Sequence, residues 1–302
     1  MIENTLLVIV GPTAVGKTDF AIDVALKLGT EIVSCDSRQI YKEMMIGTAR
    51  PTNEQLSKVK HHLIATQSIH DYYNASMFEF EVLNLLKNLF EEHKTVVMTG
   101  GSGLYIDAVC KGIDDLPTIE PEVRQKVLQR FQDEGIESLR RELFRIDPEY
   151  CHTSDMQNPK RIFKALEVFY MTGKPYSTFL TQNKKPRDFK IITIALNKDR
   201  KQLYSNIDKR VDIMVQQGLV EEARELFEYR HLNALNTVGY KELFDYFDGN
   251  TSLETAIELI KRNSRRYAKR QITWFLRNKE TIWFNNEQKE EIWQHIGKMN
   301  LE

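Results

Sequence analysis

The sequence has few cysteines and none at a spacing that binds metal. Its three cysteines lie far apart, one is unpaired by parity, and no C-x-x-C motif occurs, which argues against both a disulfide framework and structural zinc. No apolar run approaches the ~18 residues of a membrane span. No basic segment with a cleavage site opens the chain. These absences predict a soluble, cytoplasmic protein with no membrane partner.

Charge of one sign is not in excess either. The 302 residues include 42 Lys/Arg and 43 Asp/Glu. Net charge therefore predicts no partner, and any nucleic-acid surface must come from local clustering of basic residues. A hydrophobic content of 41% suffices for a sizeable core in one large domain or two modest ones.

The most specific motif is GPTAVGKT at 11–18, which matches the phosphate-loop pattern G-x-x-x-x-G-K-[ST]. It follows an apolar run at 6–10 and precedes a helical pattern at 19–28. Its glycines let backbone N–H groups point at phosphate oxygens, and the helix N-terminus adds partial positive charge. Lys17 is expected to bridge phosphates and Thr18 to hold Mg²⁺. The motif leaves open whether a nucleotide or another substrate carries the phosphates.

Polar residues end two further predicted strands. The β-rich run at 31–35 ends in Asp36-Ser37-Arg38-Gln39, and the run at 95–99 ends in Gly100-Gly101-Ser102-Gly103. Open α/β sheets bind ligands at the carboxyl ends of their strands, so Asp36 is a candidate site residue, although solvated turn chemistry is the alternative. Ser102 either contacts a substrate or belongs to a turn whose glycines need positive φ.

The strand–helix alternation predicts an α/β fold, a P-loop NTPase-like parallel sheet flanked by helices, with an all-helical insertion domain. Residues 1–116 and 191–302 form the predicted core, and 117–190 form the insertion, whose far boundary is a polar loop at 183–187. Lys160, Arg161 and Lys164 sit at a helix start, where positive charge opposes the helix dipole. They are either solvated or they meet an anion. His61 and His62 are adjacent on a predicted strand and point to opposite faces, which argues against a shared metal.

The densest charge feature lies between residues 261 and 279, where eight basic residues and no acidic one occur. Apolar residues keep helical spacing through this segment, so one face packs on the core and the basic face projects outward. A basic stripe of one sign that carries Tyr267 and Trp274 favours a polyanion such as nucleic acid. The basic members are Lys261, Arg262, Arg265, Arg266, Lys269, Arg270, Arg277 and Lys279.

These features are compatible with two enzyme classes. A P-loop kinase would bind ATP at 11–18 and phosphorylate a small molecule near Asp36. An enzyme acting on RNA would hold a phosphorylated small substrate in the loop and the nucleic acid on the basic helices. The long basic helix favours the second. A nucleotide-switched binding module is less well supported, because no second nucleotide-recognition motif is evident.

Six blocks of the sequence resemble the tRNA dimethylallyltransferases, also called tRNA isopentenyltransferases, in order from about Leu6 to Trp283. The chain departs from that family at Ser102, Glu43 and Lys60, where Thr, Gly and Pro are usual. The zinc-finger extension of eukaryotic relatives is absent, so the bacterial type is matched. The blocks are GPTAVGKT, DSRQIYKEMMIGTARP, TGGSGLY, NPKRIFKALEVFYMTGKP, VGYKEL and AKRQITWFLR, which begin at Gly11, Asp36, Thr99, Asn158, Val238 and Ala268.

The resemblance implies transfer of a dimethylallyl group from dimethylallyl diphosphate to N6 of the adenosine 3′ of the anticodon, in tRNAs that read codons beginning with U. Asp36 is the implied base, because an exocyclic amine is a poor nucleophile that must lose a proton. Lys17, Arg210 and Mg²⁺ at Thr18 are implied to stabilise the departing diphosphate. The implied diphosphate-binding residues are Gly11, Pro12, Thr13, Ala14, Val15, Gly16, Lys17, Thr18 and Arg210.

The resemblance also implies a tRNA surface, since the target base must leave the anticodon loop to enter a pocket. The anticodon stem-loop is the implied partner, and the lack of an exposed coiled-coil seam predicts a monomer. The implied tRNA-binding residues are Asp36, Ser37, Arg38, Gln39, Ser102, Arg124, Lys160, Arg161, Ile162, Phe163, Lys164, Arg265, Arg266 and Arg270.

Overall fold

The computed structural model describes residues 4–180, 185–299 and 301. The chain divides into two compact units, one of residues Met1–Cys110 with Arg187–Glu302 and one of residues Lys111–Pro186. Arg187 lies in the larger unit, where its guanidinium pairs with Glu79 at 2.7 Å. The smaller unit therefore ends before the predicted boundary at 190. Residues 183 and 184 of the predicted boundary loop lie outside the described residues.

The larger unit is built on a parallel sheet of six strands in the order β3-β2-β4-β1-β5-β6. This sheet, flanked by helices, confirms the predicted α/β fold class. The strands are β1 (Thr5–Val10), β2 (Ile32–Cys35), β3 (His61–His62), β4 (Thr95–Gly100), β5 (Lys190–Asn197) and β6 (Ile282–Asn285).

The described residues form twelve α-helices and three short 3₁₀ helices, the latter at Tyr176–Phe179, Phe227–Tyr229 and Asn233–Leu235. The α-helices are α1 (Lys17–Leu28), α2 (Asn53–Lys58), α3 (Ala75–Glu92), α4 (Gly103–Lys111), α5 (Pro121–Ile146), α6 (Pro148–Thr153), α7 (Pro159–Thr172), α8 (Arg200–Gln216), α9 (Leu219–Glu225), α10 (Tyr240–Phe247), α11 (Leu253–Phe275) and α12 (Lys289–Gly297).

Both faces of the sheet are covered, as a buried parallel sheet requires. Leu6, Val8 and Val10 of β1 point into one apolar core, whereas Leu7 and Ile9 point into a second core on the opposite face. Successive residues of a strand alternate between faces, so a continuous apolar run such as β1 fills two cores. The central strand is consequently buried along its whole length.

The parallel arrangement brings three polar turns to one edge of the sheet. β1, β4 and β2 are neighbours, and their carboxyl ends carry the phosphate loop, the glycine-rich turn at 100–103 and the Asp36 turn. This edge is where open α/β sheets place their ligands. The order of the strands thus assembles residues that are far apart in the chain.

The smaller unit is helical and has its own core. α5 is interrupted at Gly135, which has φ 75° and ψ 171°, so it consists of two helical segments. Val127, Leu139 and Leu143 of α5 pack with Ile162 and other residues of α7. Within the part of the chain that the structure describes, no helix is both long and apolar enough to cross a membrane.

Candidate active site

The phosphate loop joins β1 to α1 through residues with positive φ, a backbone conformation that favours glycine. Gly11 has φ 148°, and a Cβ at this position would lie 2.4 Å from the carbonyl oxygen of Leu196. Ala14 has φ 62°, a left-handed conformation that costs a non-glycine residue about 1–2 kcal/mol. Strained backbone of this kind persists where the surrounding structure holds it, and such positions cluster at ligand sites.

Lys17 lies beneath the loop in an electropositive setting. Its Nζ donates a hydrogen bond to the Pro12 carbonyl oxygen at 2.8 Å. The pKa of Lys17 is lowered to about 7, mainly by burial and next by the Arg210 guanidinium, while the Asp36 carboxylate opposes the shift. The cationic groups of Lys17 and Arg210 therefore lie close enough to repel one another, and Asp36 is the carboxylate that offsets them. A bound polyanion would be stabilised by this excess of positive charge.

Arg210 reaches the loop from α8, nearly two hundred residues later in the chain. Its guanidinium donates to the Thr13 hydroxyl at 3.4 Å and to the Ala49 carbonyl oxygen at 3.3 Å. Burial lowers the pKa of Arg210, and the Asp36 carboxylate opposes that shift. The structure thus brings together Lys17, Arg210 and Asp36, the three residues that the family resemblance implies to be catalytic.

Asp36 is held by the turn that follows β2. Its Oδ1 accepts backbone N–H groups from Arg38 at 2.9 Å and Gln39 at 3.3 Å, whereas no described residue donates to its Oδ2. Ser102 joins this turn to the end of β4, because its Oγ accepts the Ser37 N–H at 2.9 Å. One carboxylate oxygen is therefore fixed, and the other keeps its lone pairs for a ligand.

A cavity of about 420 Å³ opens in front of these groups. Its lining includes polar side chains such as Asp36, Arg210 and Tyr267 and apolar side chains of α8 and α11 such as Val211 and Ile260. A neighbouring inner cavity of about 80 Å³ is lined by Lys17, Thr18, Ser34 and Asp36, among others. The site therefore combines an anion pocket with a larger cavity that both polar and apolar side chains line.

Two site residues on α11 had no signal in the sequence that identified their role. Gln271 is buried, its Oε1 accepts the Thr13 N–H at 2.8 Å, and its Nε2 donates to the Gly101 carbonyl oxygen at 3.0 Å. Tyr267 is hydrogen-bonded with Ser102, and its pKa is raised to about 12, chiefly by burial and then by Asp36. The sequence associated Tyr267 with the basic stripe, and the structure places its side chain at the cavity.

Comparison with known proteins identifies the family of this chain. A model of the family described as IPP transferase matches residues 39–279. tRNA dimethylallyltransferase 1 of Phocaeicola vulgatus is 52% identical over 297 residues, which cover 98% of this chain and 99% of that protein. The chain belongs to the IPP transferase family.

Solved structures agree with this membership. The full-length tRNA isopentenylpyrophosphate transferase of Bacillus halodurans matches with a TM-score of 0.71 and 35% identity, over 98% of this chain and 96% of that one. A eukaryotic dimethylallyltransferase acting on tRNA matches with a TM-score of 0.75 and 26% identity, over 90% of this chain and 69% of that one. The family resemblance found in the sequence is confirmed.

The basic helix of this IPP transferase family member carries less free charge than the sequence predicted. Lys261 pairs with Asp212 at 2.7 Å, and Arg265 pairs with Asp208, both on α8. Trp274 also faces inward, where its Nε1 donates to Asp107 at 2.9 Å. The prediction of an outward stripe of one sign is therefore corrected at these three positions. The exposed cations are Arg262, Arg266, Lys269, Arg270, Arg277 and Lys279.

The insertion residues are divided between the surface and the core of the smaller unit. Lys160 and Arg161 are exposed at the start of α7, and Lys164 is partly exposed. Arg124 pairs with the buried Glu167 at 3.3 Å.

The prediction that Ile162 contacts tRNA is corrected. Its side chain is fully buried in the helical core and cannot reach a ligand. Phe163 is half-buried, and its ring lies 5.2 Å from that of Phe131, so part of the ring is used in packing.

The two histidines of the edge strand have separate hydrogen-bond partners. His61 Nδ1 bonds to the Val59 carbonyl oxygen at 2.8 Å, and His62 Nε2 bonds to Glu31 at 2.5 Å. Among the described residues, no group of three His, Cys, Asp or Glu side chains is placed to hold a metal ion.

Proposed function

We propose that this enzyme transfers a dimethylallyl group from dimethylallyl diphosphate to N6 of the adenosine 3′ of the anticodon, in tRNAs that read codons beginning with U. Membership of the IPP transferase family and the names of its relatives support prenyl transfer to tRNA. The observation that carries the chemistry is that the phosphate loop, the two partly buried cations Lys17 and Arg210 and the carboxylate of Asp36 line one inner cavity.

The diphosphate binds in the loop in this proposal. Backbone N–H groups of Gly11–Thr18, Lys17 and Arg210 neutralise its charge, and binding of the anion returns Lys17 to its charged form. The hydroxyl groups of Thr18 and Ser34 around the inner cavity fit Mg²⁺, which takes few protein oxygens together with phosphates and waters. Thr18 would hold the ion. When bound, Mg²⁺ supplies further stabilisation of the charge on the leaving diphosphate.

The transfer breaks a carbon–oxygen bond and forms a carbon–nitrogen bond. The adenine N6 attacks C1 of the dimethylallyl group, the electron pair of the C1–O bond leaves with the diphosphate, and the N6 proton passes to Asp36. Asp36 Oδ2 is suited to accept it, because Oδ1 is occupied by two backbone N–H groups. The apolar residues that line the cavity, such as Val211 and Ile260, accommodate the dimethylallyl group and exclude water that would hydrolyse the donor.

Recognition of tRNA combines base contacts with contacts to the phosphate backbone. The target adenine leaves the anticodon stem-loop and enters the cavity, where Ser37, Arg38 and Gln39 surround it with Asp36. Positive charge on the exposed residues Arg266 and Arg270, and on Lys160 and Arg161 of the insertion, holds the phosphates. Lys164, Arg124 and Phe163 of the insertion complete the proposed surface. A monomeric, cytoplasmic enzyme remains the prediction from the sequence.

A label-transfer experiment tests the function directly. The full chain receives unmodified tRNA with Mg²⁺ and either dimethylallyl diphosphate labelled in the prenyl group or ATP labelled in the γ-phosphate. We expect prenyl label in the tRNA, at the adenosine 3′ of the anticodon. Transfer of the phosphate label to a small-molecule acceptor supplied from a cell extract, with no prenyl label in the tRNA, would instead support the P-loop kinase.

A further inference from the structure

Glu222 of α9 is the acceptor of four hydrogen bonds from two separate segments. Its carboxylate accepts backbone N–H groups from Met45 at 2.9 Å, Ile46 at 2.7 Å and Gly47 at 2.9 Å. It also accepts the Tyr240 hydroxyl at 2.6 Å. Hydrogen bonds to an ionised acceptor are shorter and stronger than neutral ones, so this carboxylate fixes three consecutive residues of a loop.

Tyr240 lies in the VGYKEL block at 238–243, which is not among the residues proposed to bind diphosphate or tRNA. It is completely buried, and its pKa is raised by burial and then by the Glu222 carboxylate, so the hydroxyl remains a donor. Its ring also packs against the loop, since a Cβ on Gly47 would lie 2.6 Å from the ring carbons. Only glycine at position 47 lets the loop lie this close to the Tyr240 ring.

The other end of this loop holds site residues. The carbonyl oxygens of Thr48 and Ala49 both accept from Gln39 Nε2 at 3.1 Å. The Ala49 oxygen also accepts from Arg210 at 3.3 Å. Thr48 and Ala49 themselves line the cavity. A chain of contacts thus runs from Glu222 and Tyr240 through the segment 45–49 to the residues that face the ligand.

We propose that Glu222 and Tyr240 are positioning residues that hold the segment 45–49, and through its carbonyl oxygens Arg210 and Gln39, in the geometry that binds diphosphate and the target base. The identity of the ligand in this proposal rests on the proposed function. With Gln in place of Glu222 only one accepting oxygen remains, so one or two of the three N–H groups lose their acceptor and the segment moves. Misplacement of a binding group by about 1 Å costs up to about a hundredfold in rate.

The test compares Glu222→Gln and Tyr240→Phe with Glu221→Gln, a control at the neighbouring exposed residue. Calorimetry measures the affinity of each full-length variant for inorganic diphosphate, and steady-state assays give kcat and the KM for dimethylallyl diphosphate. For Glu222→Gln we expect diphosphate affinity to fall and this KM to rise by about tenfold or more. For Tyr240→Phe, which loses one of the four bonds, we expect about threefold to tenfold.

A purely structural role predicts a different pattern. Loss of folded protein lowers kcat in proportion to the active fraction and leaves the diphosphate affinity and the KM unchanged, and this result would overturn the proposal. Wild-type diphosphate affinity in a folded Glu222→Gln variant would overturn it as well. If Glu222→Gln does not fold, Tyr240→Phe decides the question by the same two measurements. If the wild-type chain transfers no prenyl group, the proposed function fails, whereas the diphosphate affinities still decide the role of Glu222.

Discussion

Gln271 accepts the backbone N–H of Thr13 at 2.8 Å. This bond ties the phosphate loop to the basic helix α11, and the second bond of the same amide, to Gly101, ties that helix to the turn after β4. A single buried side chain therefore sets the spacing of three elements that surround the cavity.

Replacement of Gln271 by Leu should both destabilise the protein and weaken diphosphate binding. The substitution leaves the Thr13 N–H and the Gly101 carbonyl without this partner, and each unmet buried group costs about 1–3 kcal/mol. Denaturant unfolding should show the loss of stability, and calorimetry with inorganic diphosphate should show the weaker binding. Gln294→Leu, at an exposed position of α12, should change neither. Undiminished diphosphate affinity in Gln271→Leu would show that the loop holds its shape without this bond.

Asp36→Asn should abolish most of the prenyl transfer while tRNA binding stays largely intact. The amide oxygen still accepts the N–H groups of Arg38 and Gln39, so the turn is kept, but no carboxylate remains to take the N6 proton. General-base catalysis contributes about 10²–10⁴-fold, and the fall in kcat should lie in that range. Single-turnover assays measure this step, with the exposed Asp23→Asn as the control. Wild-type turnover in Asp36→Asn would remove Asp36 as the base.

The sheet and the predicted phosphate site could be read from the sequence because their signals are local. The phosphate loop lies between an apolar run and a helical pattern, and parallel pairing of β1, β2 and β4 brings the ends of these strands together. A prediction of the strands is therefore sufficient to place Asp36 beside Lys17. Arg210 was assigned only through the family resemblance.

The contacts that position the site could not be predicted in this way. Gln271 lies 258 residues from Thr13, and Glu222 lies 176 residues from Ile46. Glu and Gln are ordinary helix formers, so neither residue differs in pattern from a solvated one. The charge of α11 was misjudged for a related reason. Its acidic partners lie on α8, a helix whose packing against α11 the sequence does not encode locally.

Diphosphate binding should be accompanied by proton uptake near pH 8. The pKa of Lys17 is about 7 in the free site, so at pH 8 the amine is mostly neutral. A bound polyanion favours the ammonium and raises this pKa, and the complex therefore takes up a proton. Calorimetry at pH 8 without Mg²⁺, in buffers of different ionisation enthalpy, measures the number of protons. Arg210→Gln removes a cation that lowers the pKa of Lys17, so its proton uptake should be smaller. Equal binding enthalpies in all buffers would contradict the predicted shift.

Arg266→Gln combined with Arg270→Gln should weaken tRNA binding and reduce its salt dependence. Both side chains are exposed on α11, and each phosphate contact that is lost reduces the slope of log K against log salt by about one unit. Arg265→Gln should affect that slope less, because Arg265 already pairs with Asp208. Filter binding of unmodified tRNA over a series of salt concentrations measures the slopes. Lys87→Gln combined with Lys298→Gln removes the same charge at two exposed positions, one on α3 and one directly after α12. Equal slopes for the two double variants would mean that α11 does not form a specific part of the tRNA surface.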